Sequence, residues 1–129
     1  MAIRIVKLGS PRHPDEGLRL GTVRRPPRGV PKGELARRDY YDAWLPELAP
    51  SAPLVKEALA ATTPQAWAGF VRRYRAEMAT PAASHLLDLL VALSRTTALS
   101  VGCYCDDEAR CHRSILRELL AARGAVLCG

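Results

Sequence analysis

Two Thr-Pro dipeptides, Thr63-Pro64 and Thr80-Pro81, constrain the fold of this 129-residue chain more than any other feature. A threonine followed by proline is a helix start. The hydroxyl accepts from an early backbone N–H, and proline at the first helical position gives up only a donor that has no partner there. The spacing predicts one helix from Thr63, with Trp67, Phe70, Val71, Tyr74 and Met78 along one face. It predicts another from Thr80, carrying Leu86, Leu87, Leu89, Leu90 and Leu93. Both stripes read as core. Ser51 supplies a third start, for a helix running to about Ala61.

Strand signals lie on either side of these helices. Residues 2–8 (Ala-Ile-Arg-Ile-Val-Lys-Leu) alternate Ile3 and Ile5 with Arg4 and stop at Gly9-Ser10-Pro11. Leu18, Leu20 and Thr22 alternate with Arg19 and Gly21 up to Val23, which predicts a second strand. A third is expected over 96–103 and a short last one over 125–127. Between them runs an amphipathic helix with Ile115, Leu116, Leu119 and Leu120, closed by Gly124. The order predicts a small single-domain α/β fold over residues 1–129, a Rossmann-like sheet covered by helices. A chain of this length buries a core without disulfides or a metal. Residues 25–33 carry three prolines and two glycines among basic residues and form a long loop.

The N-terminus shows no basic stretch leading into an apolar run. The densest apolar run, Leu86 to Leu93, is interrupted by Asp88 and too short for a bilayer. A cytoplasmic protein with no membrane partner is expected. In that compartment thiols stay reduced, so Cys103, Cys105 and Cys111, three cysteines within nine residues, suggest metal or thiol chemistry before a disulfide framework. Cys128 is incidental.

The segment from Cys103 to Arg113 lies where the third strand hands over to the last helix. Ligands tend to bind at that position in open α/β sheets, near free helical N–H groups. On a wheel of about 100° per residue, His112 points along the buried face of the helix, with Cys111 and Arg113 at its margins. Three chemistries fit. Cys105, Cys111 and His112 are candidate catalytic residues, as nucleophile, redox thiol or base. Cys103, Cys105, Cys111 and His112 form a zinc or iron ligand set, although the spacing is not that of paired Cys-x2-Cys knuckles. Arg113 and the helix N-terminus, with Arg24 or Arg28 from the basic loop, form an anion site for a nucleotide-like or phosphorylated small molecule. Against the last, Asp106, Asp107 and Glu108 share the loop, and Asp107 is placed to cap the helix.

The formal charge is +6, and its whole excess sits near the N-terminus. Residues 1–40 hold ten Lys/Arg against four Asp/Glu, which leaves nine against nine in 41–129. That asymmetry favours an anionic partner. A nucleic-acid partner for the loop at 24–38 is the weaker expectation, because no aromatic repeat accompanies the charges as a stacking platform.

Several strings together resemble the YeaO-like proteins, a branch of the bacterial family known as domain of unknown function 488. They are Glu16-Gly17-Leu18-Arg19, Thr22 to Gly29, Trp44-Leu45-Pro46-Glu47-Leu48-Ala49-Pro50-Ser51, Trp67 to Tyr74, and Cys111-His112-Arg113 preceded by Cys105. Where that branch has Asp and Trp before Pro-Arg-Gly, this chain has Val23 and Pro26. The resemblance implies a Rossmann-like fold. It adds weight to Arg24, Arg28, Cys105, Cys111, His112 and Arg113 as one site, and it implies no activity.

Overall fold

The computed structural model describes residues 1–128. Its sheet contains β1 (Ile3–Lys7), β2 (Leu18–Gly21), β3 (Ala43–Trp44), β4 (Leu99–Cys103) and β5 (Leu127–Cys128) in the order β3-β2-β4-β1-β5. All neighbouring strands run parallel. Four helices accompany it: α1 (Ala52–Ala60), α2 (Pro64–Met78), α3 (Pro81–Ser94) and α4 (His112–Ala122). The predicted α/β architecture is present, with each Thr-Pro opening a helix. Of the three expected caps, Thr63 accepts from the Ala66 N–H, whereas Ser51 and Thr80 make no side-chain cap bond.

β4 occupies the middle of the sheet, and all five of its residues are buried. Strands of a parallel sheet read as small or apolar runs because both of their faces are covered, and Leu-Ser-Val-Gly-Cys fits that rule. On one face Ile3, Leu99 and Val101 join a core with Leu54, Phe70, Tyr74, Leu87, Leu90, Ile115, Leu116 and Leu120, so all four helices contribute to it. The other face is different, because β1–β2 and β2–β3 are joined without an α-helix.

Arg19 and Ser100, paired across β2 and β4, belong to that second face. Arg19 is fully buried and donates through Nε to Glu16 Oε1 at 2.5 Å, and through its other nitrogens to the carbonyls of Ser10, Pro11 and Asp39. Ser100 Oγ also reaches Glu16, at 3.2 Å. The buried polar group of Arg19, Glu16 and Ser100, together with an apolar cluster that includes Leu8, Leu35 and Tyr41, takes the place that a second helical layer would fill. The Arg19 guanidinium sews loop 8–17 to the start of β2.

Gly17 makes that turn possible. Its φ is +67°, and a Cβ there would lie 2.0 Å from the Ala98 carbonyl oxygen. Gly17→Ala therefore combines left-handed strain of about 1–2 kcal/mol with a backbone clash. We expect it to destabilise the fold by at least 2 kcal/mol. A urea midpoint equal to that of the parent would contradict this.

Candidate functional site

The carboxyl ends of β2 and β4 are adjacent, Gly21 lying in register with Gly102. Thr22 and Val23 follow one strand, and Cys103 ends the other. A 3-10 turn at Glu108–Arg110 precedes α4, whose N-cap residue is Cys111. Asp107 accepts from the Ala109 N–H and so caps this turn, not the helix as its spacing suggested. The anion position at the start of α4 is therefore not filled by Asp107.

His112, the first residue of α4, is buried and held from both sides. Tyr74 meets its ring edge-on at a centroid separation of 5.6 Å. His112 Nε2 lies 2.7 Å from the Thr22 carbonyl oxygen and 3.2 Å from Thr22 Oγ1. The Thr22 hydroxyl spends its own proton on the Gly102 carbonyl at 2.9 Å, so towards His112 it only accepts. Both neighbours of Nε2 are acceptors, which places the ring proton there. In the neutral imidazole Nδ1 then keeps a free lone pair, aimed at Cys111 Sγ 3.6 Å away.

The thiols gather around that lone pair. The ligand atoms of Cys103, Cys111 and His112 all lie within 4.8 Å of one another, and all three residues are buried. Cys105, which is exposed, sits outside this trio with its sulfur 3.7 Å from that of Cys103. Hydrogen bonds from the Cys103 and Cys105 thiols, acting against burial, favour the charged form of Cys111 and hold its pKa far below the ordinary thiol range, and His112 adds to this once its Nδ1 takes up a proton. Bonds to Cys105 and Cys111, together with burial, push Cys103 up. Cys105 is raised as well: its bond with Cys103 favours the thiolate, but Cys111 and burial outweigh that.

The arginines expected at this site take different places. Arg113 is buried rather than marginal, because the loop from 104 to 110 folds over its side chain, and it donates to the Cys105 carbonyl at 2.5 Å. Its Nε is the single buried side-chain polar atom without a partner among the described residues. Arg24 donates to the carbonyls of Ala49 and Pro50, which fastens the basic loop to the turn before α1. Arg28 is exposed.

A cavity of about 410 Å³ opens against the cluster. Cys103, Cys105, Cys111 and His112 border it, and Pro50, Val55, Leu59 and Phe70 supply apolar wall. Arg24, Arg25, Lys56 and Arg110 complete it. Sequence reasoning missed Lys56, Arg110 and the role of Thr22, for these residues come from separate elements and share no spacing. The one local hint was Thr22 itself, a polar residue at the end of a strand.

Against known families, residues 3–124 match the model described as the active DUF488-N3 subclade. The chain belongs to the DUF488 family. Its resemblance to YeaO-like proteins is compatible with that membership. No curated protein and no solved structure matches this DUF488 chain. Among its described residues no helix is long and apolar enough to cross a membrane.

Proposed function

We propose that the junction of β4 and α4 is a transition-metal centre, zinc or iron by its donor set, with Cys103, Cys111 and His112 as fixed ligands and Cys105 as the exchangeable fourth. The observation that carries this reading is the convergence of three buried donor atoms within 4.8 Å. Tetrahedral zinc, with Zn–S of about 2.3 Å and Zn–N of about 2.0 Å, has edges of roughly 3.8 Å between sulfurs and 3.5 Å between sulfur and nitrogen. Cys103–Cys105 at 3.7 Å and Cys111–His112 at 3.6 Å already match two such edges.

Two further features favour it. A metal-bound histidine characteristically donates its other N–H to a carbonyl, which is what Thr22 accepts from His112. Three thiolates and one imidazole around a divalent ion leave a net charge of −1, and Arg113, buried with no carboxylate partner among the described residues, is the cation that balances it. Catalytic zinc sites keep three protein ligands and one open position. The description of the matched subclade as active agrees with a centre whose exposed fourth ligand can leave.

Elemental analysis of protein purified without chelators, followed by cobalt(II) titration of the metal-free form, tests this. One equivalent of metal per chain is expected, with thiolate-to-cobalt charge transfer and the d–d bands of a tetrahedral site. Cys111→Ser should remove both signals, and Cys128→Ser should leave them intact. Protein without zinc or iron that gives no tetrahedral cobalt spectrum would refute the metal centre.

A metal-free version of the same cluster is favoured by one observation, the approach of His112 Nδ1 to within 3.6 Å of the Cys111 sulfur, beside the exposed Cys105. That arrangement suits a nucleophilic or redox thiol, with His112 as its base. Absence of metal together with rapid alkylation of Cys111 selects it. In either version the partner is an anionic small molecule.

A further inference from the structure

We infer that the cavity beside the cysteines binds an organic anion with an apolar body, an aryl or alkyl carboxylate, sulfonate or phosphate monoester, with its charge at the rim and its apolar end towards the centre. This deepens the functional reading and rests on it only in placing that centre at the cavity floor.

Charge is the first support. Four cations line the cavity, Arg24, Arg25, Lys56 and Arg110, and no Asp or Glu does. Elsewhere on the described surface arginines such as Arg12, Arg73, Arg75 and Arg123 are paired with carboxylates. The four at the cavity are not. Arg24 is tied to carbonyls, Arg110 lies 5.4 Å over the Trp67 ring, and Arg25 and Lys56 extend from exposed positions with no carboxylate partner among the described residues. Unpaired like charges around one opening repel each other, so an anion placed among them relieves an existing cost as well as adding attraction.

The wall chemistry is the second support, and it narrows the class. Val55, Leu59 and Phe70 present hydrocarbon to the same cavity that the four cations line. The volume suits a small-molecule site. A nucleotide fits poorly, because its ribose hydroxyls are characteristically taken by a carboxylate and none is present in the lining. Inorganic phosphate would leave the apolar wall uncovered.

The intact protein can be titrated with 8-anilinonaphthalene-1-sulfonate, an anion on an aromatic body, alongside uncharged N-phenyl-1-naphthylamine, AMP and inorganic phosphate. Saturable binding of one sulfonate per chain is expected, with the uncharged analogue at least tenfold weaker and neither AMP nor phosphate displacing the probe at equal concentration. Arg25→Glu and Lys56→Glu, made singly, each alter one exposed side chain and should each weaken binding at least threefold. Arg72→Glu, the same charge change on the exposed side of α2, should leave it unchanged. Equal binding of the uncharged analogue, or equal loss in Arg72→Glu, would overturn the inference. Cobalt uptake without charge-dependent probe binding removes the cavity site and keeps the metal. Charge-dependent probe binding without cobalt uptake does the reverse.

Discussion

Arg19→Met is expected to destabilise the fold by about 3–5 kcal/mol, the range found when one partner of a buried ion pair is removed. Methionine fills much of the same volume, so the loss comes from what is left behind. Glu16 would remain buried without its cation, and the carbonyls of Ser10, Pro11 and Asp39 would lose the donor they share. Arg19→Met/Glu16→Leu should recover part of the loss, since replacing both charges with apolar groups is often close to neutral. Equilibrium urea unfolding measures each value, and an Arg19→Met midpoint near that of the parent would refute the role given to this pair.

The same pair sets an acid dependence. Burial opposes ionisation of Glu16, but bonds from Arg19 and the His13 N–H outweigh it and lower the carboxyl pKa in the folded state. The resulting stabilisation is complete above the unfolded value, near the ordinary glutamate range, and is lost as pH falls through the lowered folded value. In Arg19→Met burial acts without its main opponent, so the stabilisation that ionised Glu16 gives above that range, and with it the loss on acidification, should vanish or reverse sign. Unfolding of both forms between neutral pH and pH 3 distinguishes the two slopes.

The second large effect is thermodynamic coupling to metal. A ligand that binds only the folded state stabilises it by RT ln(1 + [L]/Kd), about 4 kcal/mol when free metal exceeds Kd a thousandfold. The parent chain is therefore expected to melt several degrees higher in buffered zinc than in chelator, with a shift that grows with the logarithm of free zinc. Residual binding by thiols of the unfolded chain will reduce its size. Cys111→Ser should melt at one temperature in both media. A parent Tm indifferent to zinc would contradict a metal centre that is coupled to folding.

Much of the architecture is legible in local sequence because it depends on local rules. Thr63-Pro64 and Thr80-Pro81 open helices for reasons confined to one helical turn, and the alternation of Ile3 and Ile5 is enough to mark β1. β3 escaped notice because it is two exposed residues, Ala43 and Trp44, paired only through β2. The second strand ends at Gly21, two residues short of the alternation, as Thr22 and Val23 turn away to form one wall of the site.

The site was legible at Cys103, Cys105, Cys111 and His112, which crowd into one strand-to-helix junction. The surroundings of its arginines were not. A helical wheel puts Arg113 at a margin because it ignores the loop that closes over the helix start. Arg24 and Arg28 share a loop but not an environment, one fastened to Ala49 and Pro50 and the other in solvent. Lys56 and Arg110 became neighbours of the cavity only through the packing of α1 and the 3-10 turn.

The proton on His112 Nε2 is fixed by Thr22, 90 residues away. All four candidate donors lie within ten consecutive residues, yet what sets the lone pair among them is supplied by the neighbouring strand, distant only along the chain. A peptide of residues 99–122 would contain every ligand atom without that bias, free to exchange tautomers and reach metal through either nitrogen. Correct ligation is in this sense a record of completed assembly, acquired only once β2 has docked beside β4.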